Sequence, residues 1–137
     1  MKRQTGFTLL ELVITLVISA ILAALALPIF TDREANATWF HEQVKATLRY
    51  AQRQAVGNRR LVYVFLDPTQ VRVCYGNPCT PSNELTAYNV KAPSGAAIST
   101  TASFTFDGLG RPSFGGTFTF TVGTKPVVVQ AETGYVP

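Results

Sequence analysis

The chain has 137 residues, 47% of them hydrophobic, and its 12 basic and 8 acidic side chains give a formal net charge of +4. One histidine and two cysteines are too few for the four ligands of a structural zinc site. The sequence contains no phosphate-binding glycine loop, dinucleotide fingerprint or readable pair of catalytic acids. It therefore predicts neither an enzyme nor a bound cofactor or metal.

The first thirty residues carry the strongest pattern. Lys2 and Arg3 precede Gly6, and an apolar run follows from Phe7 to Phe30. About 24 residues at ~1.5 Å each give a helix of about 36 Å, enough to cross a hydrocarbon core of roughly 30 Å. The basic residues before the run predict a cytoplasmic N-terminus and a domain on the other side of the membrane. Hydropathy alone is equally consistent with an uncleaved single-pass anchor.

Two residues of this run are unusual for a simple anchor. Glu11 places a carboxylate in the apolar helix, at a cost of roughly 2.5–3.5 kcal/mol on insertion scales, so it requires a partner. Pro28 removes a helix hydrogen bond and predicts a kink, unless it only marks the end of the membrane segment. A secretory signal peptide does not explain the pattern, because its cleavage site would follow the apolar run, whereas Gly6 precedes it.

This leader resembles the class III signal of type IV pilins and pseudopilins. The matching residues are Gly6, Phe7, Thr8, Leu9, Leu10, Glu11 and Pro28. The resemblance implies that prepilin peptidase cuts between Gly6 and Phe7, and that Phe7 is then N-methylated. It also implies that Glu11 pairs with the free amine of Phe7 of a neighbouring subunit during assembly, and that Pro28 belongs to the assembling helix.

The resemblance also implies a domain plan, a location and partners. Residues 1–6 are the leader, residues 7–30 the transmembrane and filament-core helix, and residues 31–137 an extracytoplasmic pilin domain. The location is the bacterial inner membrane, with the domain in the periplasm, and later a pilus or pseudopilus. The implied partners are the prepilin peptidase/methyltransferase, other major and minor pilins bound through the N-terminal helix, and an inner-membrane assembly platform.

A second helical pattern follows the apolar run. Glycine and proline are absent from residues 31–56, and apolar residues recur there at the spacing of one helix face. They are Phe40, Val44, Leu48, Ala51 and Ala55. The spacing predicts a helix over residues 31–57, continuous with the membrane helix except at Pro28, and Gly57-Asn58 is its expected C-cap. His41 lies off the apolar stripe and is predicted to be solvated.

Residues 58–137 change to the two-residue alternation of β-strands, which predicts an α+β fold. A long N-terminal hydrophobic helix is expected to pack on a C-terminal antiparallel sheet or sandwich. Residues 107–116 are too rich in glycine for regular structure and predict a turn-forming loop. The predicted strands are a hairpin of residues 61–66 and 71–75, weaker candidates at 85–90 and 96–100, the segment 104–106, and a tight hairpin of 118–122 and 125–129.

Cys74 and Cys79 lie in the part of the chain that is expected outside the cytoplasm, where disulfides persist. We expect them to be bonded to each other. The loop that such a bond closes is short, so its stabilisation is about 2 kcal/mol if it acts by restricting the unfolded chain.

Three segments beyond the leader resemble the GspH/FimT-type branch of minor pilins and pseudopilins. They are residues 48–65, 104–112 and 127–136. Gln52 and Gln54 depart from this branch, which often has arginine and glutamate there. The resemblance implies a minor type IV pilin of the FimT/FimU kind that initiates or caps a pilus. The alternatives are a GspH-like minor pseudopilin of type II secretion and a DNA-binding minor pilin for DNA uptake.

A row of cations is the candidate DNA-binding surface. Lys45, Arg49 and Arg53 recur every fourth residue and share a helix face, and Arg59 and Arg60 extend the row. An ordinary solvated face is one interpretation of the row. The other is a surface that holds DNA phosphates with salt-sensitive affinity. The C-terminus lacks the further arginines of DNA-binding members, which argues against the second interpretation.

Overall fold

The computed structural model describes residues 8–26 and 33–137, and the chain divides into two units, residues 1–32 and 33–137. The first unit contains helix α1 (Leu9–Ala26). All its side chains from residue 8 to residue 24 are exposed. The expected cleavage site at Gly6 and Phe7 and the expected kink at Pro28 lie outside the described residues. In the described part of the chain, no helix combines the length and apolarity needed to cross a membrane.

The second unit starts with one long helix, α2 (Arg33–Asn58), and continues as antiparallel β-structure. The predicted α+β class is thus confirmed. A 3₁₀ turn (Thr86–Tyr88) interrupts the β-structure. The strands are β1 (Val62–Asp67), β2 (Gln70–Cys74), β3 (Val90–Lys91), β4 (Ala102–Phe106), β5 (Phe118–Val122) and β6 (Lys125–Val129).

Among the described residues, the strands form a four-stranded sheet in the order β3-β2-β1-β4 and a two-stranded sheet of β5 and β6. Asp67 pairs with Gln70 across the turn of the β1–β2 hairpin, and Val122 pairs with Lys125 across the turn of the β5–β6 hairpin. Both hairpins agree with the sequence prediction. An isolated bridge between Ile98 and Val122 lies at the outer edge of β5.

The core lies between α2 and the two sheets. All five residues of the predicted apolar stripe are completely buried, and α2 contacts every strand of both sheets. The facing strands contribute alternate residues, such as Val62, Val64 and Leu66 of β1, as expected for a sheet with one covered face. Full burial of one such side chain stabilises the fold by roughly 1.5–3 kcal/mol.

Two strand predictions were wrong. Three of residues 85–90 form the 3₁₀ turn rather than a strand, and only Val90 of this segment belongs to a strand that pairs with β2. The Thr47 hydroxyl of α2 donates to the Tyr88 carbonyl at 3.1 Å, so a tertiary contact replaces the sheet ladder there. The candidate strand at residues 96–100 does not form either, because only Ile98 pairs there, in an isolated bridge with Val122.

Helix α2 ends one residue later than the expected cap. The helix runs to Asn58, and Arg59 adopts the left-handed backbone conformation with φ 49°. The Arg60 N–H donates to the Ala55 carbonyl and the Arg59 N–H donates to the Val56 carbonyl, which is the Schellman pattern. Arg59 therefore occupies the position in which glycine is usual.

Gln52 joins α2 to two loops at the end of the domain. Its side-chain amide donates to the carbonyl of Gly110 at 3.2 Å and to that of Thr133 at 2.5 Å. Gly110 and Gly134 both have positive φ, and a β-carbon on Gly134 would collide with the Gly110 carbonyl. The glycine turn after β4 and the C-terminal loop thus approach each other as closely as glycine permits, and Gln52 satisfies the carbonyls there.

The expected disulfide between Cys74 and Cys79 is present, with a Cα–Cα distance of 5.6 Å. Cys74 is buried at the end of β2, and its backbone bridges to Glu84. The bond closes the loop that leads away from the four-stranded sheet. This loop is also held by Asn83, whose carbonyl accepts from the Tyr75 N–H and whose side-chain amide donates to the Pro78 carbonyl.

We predict that Arg59→Gly raises the free energy of unfolding by about 0.5–1 kcal/mol, because glycine adopts the left-handed conformation without a β-carbon penalty. Arg60→Gly is the matched control. The Arg60 guanidinium lies 4.2 Å from the centre of the Tyr75 ring, so its loss should lower stability. Urea unfolding of both variants measures the effect. A less stable Arg59→Gly protein would contradict the proposed strain.

We predict that Gln52→Ala lowers the free energy of unfolding by about 1–2 kcal/mol, because two loop carbonyls lose their donor. Arg53→Ala changes the next residue of the same helix at an exposed position and should stay within about 0.5 kcal/mol of the parent. Equal free energies of unfolding for the two variants, measured in urea, would show that the Gln52 hydrogen bonds to the loops do not stabilise the fold.

Candidate assembly and binding surfaces

Glu11 lies in the first turn of α1, an exposed helix in which most side chains are apolar. The Thr8 hydroxyl accepts a hydrogen bond from the Glu11 N–H at 3.3 Å. Thr8-Leu-Leu-Glu11 has the spacing of a capping box, and a carboxylate in the first turn also interacts favourably with the helix dipole. This capping role adds to the assembly role expected of Glu11, and the threonine-x-x-glutamate spacing is its signal in the sequence.

The candidate DNA-binding cations have different surroundings. Lys45 is an ion-pair partner of Glu42 at 3.6 Å, and its side chain is only 19% exposed. Arg49 donates from Nε to the Val136 carbonyl at 3.0 Å, so it fastens the C-terminus. Arg53 is exposed. The structure therefore assigns two of the three helical cations to contacts within the protein.

Arg59 and Arg60 lie beyond the end of α2. Both are exposed, but Arg59 forms the helix cap and Arg60 stacks over the Tyr75 ring. The Tyr75 hydroxyl donates to the Gln54 side chain at 3.1 Å, which links this ring back to α2. The five cations thus do not form one uniform row, and several of them stabilise the fold.

His41 is buried, which corrects the prediction of a solvated histidine. Its Nε2 donates to the Pro126 carbonyl of β6 at 3.1 Å, and its Nδ1 lies 3.1 Å from a Glu42 carboxylate oxygen. The hydrogen bond with His41 lowers the pKa of Glu42, and Lys45 adds to this effect. Because the pKa is lowered on folding, the contribution of Glu42 to stability is lost as pH falls through its folded-state pKa.

A groove of about 440 Å³ lies between α2 and the segment that contains the 3₁₀ turn. Tyr50 of α2 and Tyr88 of the turn stack there with ring centres 3.3 Å apart. Partial burial raises the pKa of the Tyr50 hydroxyl, with Tyr88 and Tyr75 adding to the rise. Arg53 and Gln43 line the rim, so the groove is polar and aromatic. It contains no pair of groups suited to acid–base catalysis.

Cys74, Cys79 and Glu84 place potential metal-ligand atoms within 4.8 Å of one another in the described part of the chain. The two sulfur atoms are bonded to each other and so offer no thiolates. The cluster is therefore a structural disulfide with an acidic neighbour, and it does not fit a metal centre.

Two family models match the chain. A model of the prokaryotic N-terminal methylation motif matches residues 1–27, and a model of the type II transport protein GspH matches residues 41–134. Searches of the curated proteins and of the solved structures return no significant match. The second family match covers more than half of the chain and includes all six strands. On the combination of a prepilin methylation motif and this pilin-like domain, the chain belongs to the GspH family of type IV pilin-like proteins.

Proposed function

We propose that this protein is a minor structural subunit that initiates or caps assembly of a type IV pilin-like filament. The observation that carries the proposal is the difference between its two helices. α2 buries one apolar face in its own domain, whereas α1 leaves apolar side chains such as Leu9, Leu10 and Leu16 more than 60% exposed. A helix that exposes so many apolar side chains requires lipid or other helices around it.

Cleavage of the leader would determine when α1 moves from lipid to a bundle of other helices. Before cleavage, α1 would lie in the inner membrane with the second unit in the periplasm. After prepilin peptidase removes residues 1–6, the helix beginning at Phe7 would leave the lipid and pack among the helices of other pilins, delivered by the inner-membrane assembly platform. The match to the methylation motif over residues 1–27 supports processing and N-methylation of Phe7.

Glu11 would direct docking in the filament. The Thr8 hydroxyl accepts from the backbone N–H of Glu11, so this contact caps α1, and the Glu11 side chain itself is exposed. The free amine of Phe7 in a neighbouring subunit would supply the opposite charge, and such a pair is stronger in a water-excluded helical bundle than in water. The pair would therefore favour one axial register between neighbouring helices.

Two filament systems fit this role. A pilus subunit of the FimT/FimU kind is our first candidate, and a minor pseudopilin of type II secretion is favoured by the match to the GspH model over residues 41–134. Deletion of the gene separates the two. Loss of surface pili with normal protein secretion supports the pilus, and loss of secretion with normal pili supports the pseudopilus. A deletion that affects neither would contradict both.

We predict that Gly6→Val blocks removal of the leader, because a branched side chain at the cleaved bond does not fit a peptidase that accepts glycine. The unprocessed protein should remain in the membrane fraction and be absent from filaments. Mass spectrometry of the purified protein reads the N-terminal residue directly. Gly57→Val, at an exposed glycine far along the chain, is the processing control. Intact Met1 on wild-type protein within filaments would contradict the proposed processing.

We predict that Glu11→Leu and Glu11→Gln both reduce co-purification with other pilins severalfold, since each removes the charge that attracts the Phe7 amine. Leader cleavage and the melting of the second unit should not change. Thr8→Ala is the matched control, because it removes the helix cap and keeps the carboxylate. If Glu11→Gln enters filaments like the wild type while Thr8→Ala fails, capping rather than charge pairing explains Glu11.

A further inference from the structure

The sole tryptophan of the chain, Trp39, lies in the second turn of α2 and is 54% exposed. Its neighbour Phe40 is completely buried in the core, so the helix directs the smaller aromatic ring inward and the larger one outward. Tryptophan is usually well covered in folded domains, and an indole that remains outside is enriched where one side meets an apolar phase and the other meets water.

The tip of the β5–β6 hairpin lies beside this tryptophan. The Lys125 ammonium donates to the Thr38 hydroxyl at 3.0 Å, and a β-carbon on Gly123 would lie 3.3 Å from that of Ala37. The exposed residues here are Thr38, Trp39, Gly123, Thr124 and Lys125, which we call the end surface. It combines one large aromatic ring with a cation at the end of the domain where α2 begins.

The chain length brings this end close to the membrane of an anchored protein. The apolar run ends at Phe30 and α2 begins at Arg33. Only Thr31 and Asp32 separate them in the sequence, and three residue steps span at most about 11 Å. The polar layer on each side of a bilayer is roughly 5–7 Å thick. Trp39 follows six residues into α2, about 9 Å along the helix, so its ring reaches the polar layer only when α2 is tilted toward the bilayer.

We propose that the end surface docks on the bilayer while the subunit waits in the membrane before assembly. The Trp39 indole then lies in the headgroup layer, and the Lys125 ammonium faces lipid phosphates. The inference rests on the membrane anchoring in the proposed function. Tryptophan prefers this layer because its ring is amphipathic, and lysine contacts anionic headgroups through its flexible stem. Docking would hold the domain in one orientation before extraction.

The single tryptophan makes a direct test possible. Full-length protein is reconstituted into vesicles of phosphatidylcholine with a minor fraction of phosphatidylglycerol, made with and without brominated acyl chains. Flotation first establishes that the protein is anchored. Docking predicts that Trp39 emission shifts to shorter wavelength relative to indole in water and that brominated lipid quenches it. Lys125→Glu should weaken the quenching, and unchanged quenching would overturn the role of Lys125.

A double variant provides the matched control. Trp39→Phe with Leu109→Trp moves the only indole to the glycine turn after β4, where Leu109 is 74% exposed. The neighbouring Gly108 packs on the Arg59 backbone, twenty residues and about 30 Å of helix beyond Trp39. This indole should emit as in water and escape quenching.

The outcomes separate the two proposals. Floated protein with an unquenched Trp39 overturns the docking and leaves the anchoring intact. Protein that does not float overturns the anchoring and the docking together. Equal quenching of indoles at positions 39 and 109 overturns docking through this end, because the lipid contact would then not be specific to it.

Discussion

Burial of one stripe of α2 is the constraint on which the domain depends. Phe40, Val44 and Leu48 have no access to solvent, and both sheets pack on them. Two- and four-stranded sheets of this size gain independent stability only by covering an apolar face, so the helix holds together strands that would not persist alone. The small residues Ala51 and Ala55 continue the stripe, and their side chains allow the strands a close approach to the last turns of the helix.

Side chains on the flank of α2 beside this stripe form hydrogen bonds with the last third of the chain. Residues 41, 45, 49 and 52 lie three or four positions apart and share that flank. His41 binds β6, Arg49 binds the C-terminal segment and Gln52 binds two loops, in each case through a backbone carbonyl. Arg49, a candidate DNA contact in the sequence, is therefore used here like His41 and Gln52 to satisfy a backbone carbonyl of the packed chain.

The apolar stripe and both hairpins could be predicted because they depend on local periodicity and turn residues. The role of His41 could not, because its partner, the Pro126 carbonyl, is 85 residues away and carries no side-chain signal. The cap at Arg59 was missed for a related reason. Gly57 is the residue type expected at a helix C-terminus, but the left-handed residue is Arg59, whose backbone lies against Gly108 of a distant loop.

The apolar stripe of α2 is buried within the chain, whereas α1 exposes many apolar side chains. This difference favours a subunit that moves from the membrane into a filament. α2 buries its apolar face against strands of the same chain, so the core of the second unit forms without a partner subunit. α1 does not, and its exposed leucines are stable only in lipid or among other helices. Transfer between these two apolar environments costs little hydrophobic free energy, because lipid tails and packed helices are similarly apolar. In the proposed filament, Glu11 would decide the direction of transfer, since the Phe7 amine of a neighbouring subunit would be its partner, whereas hydrocarbon supplies none.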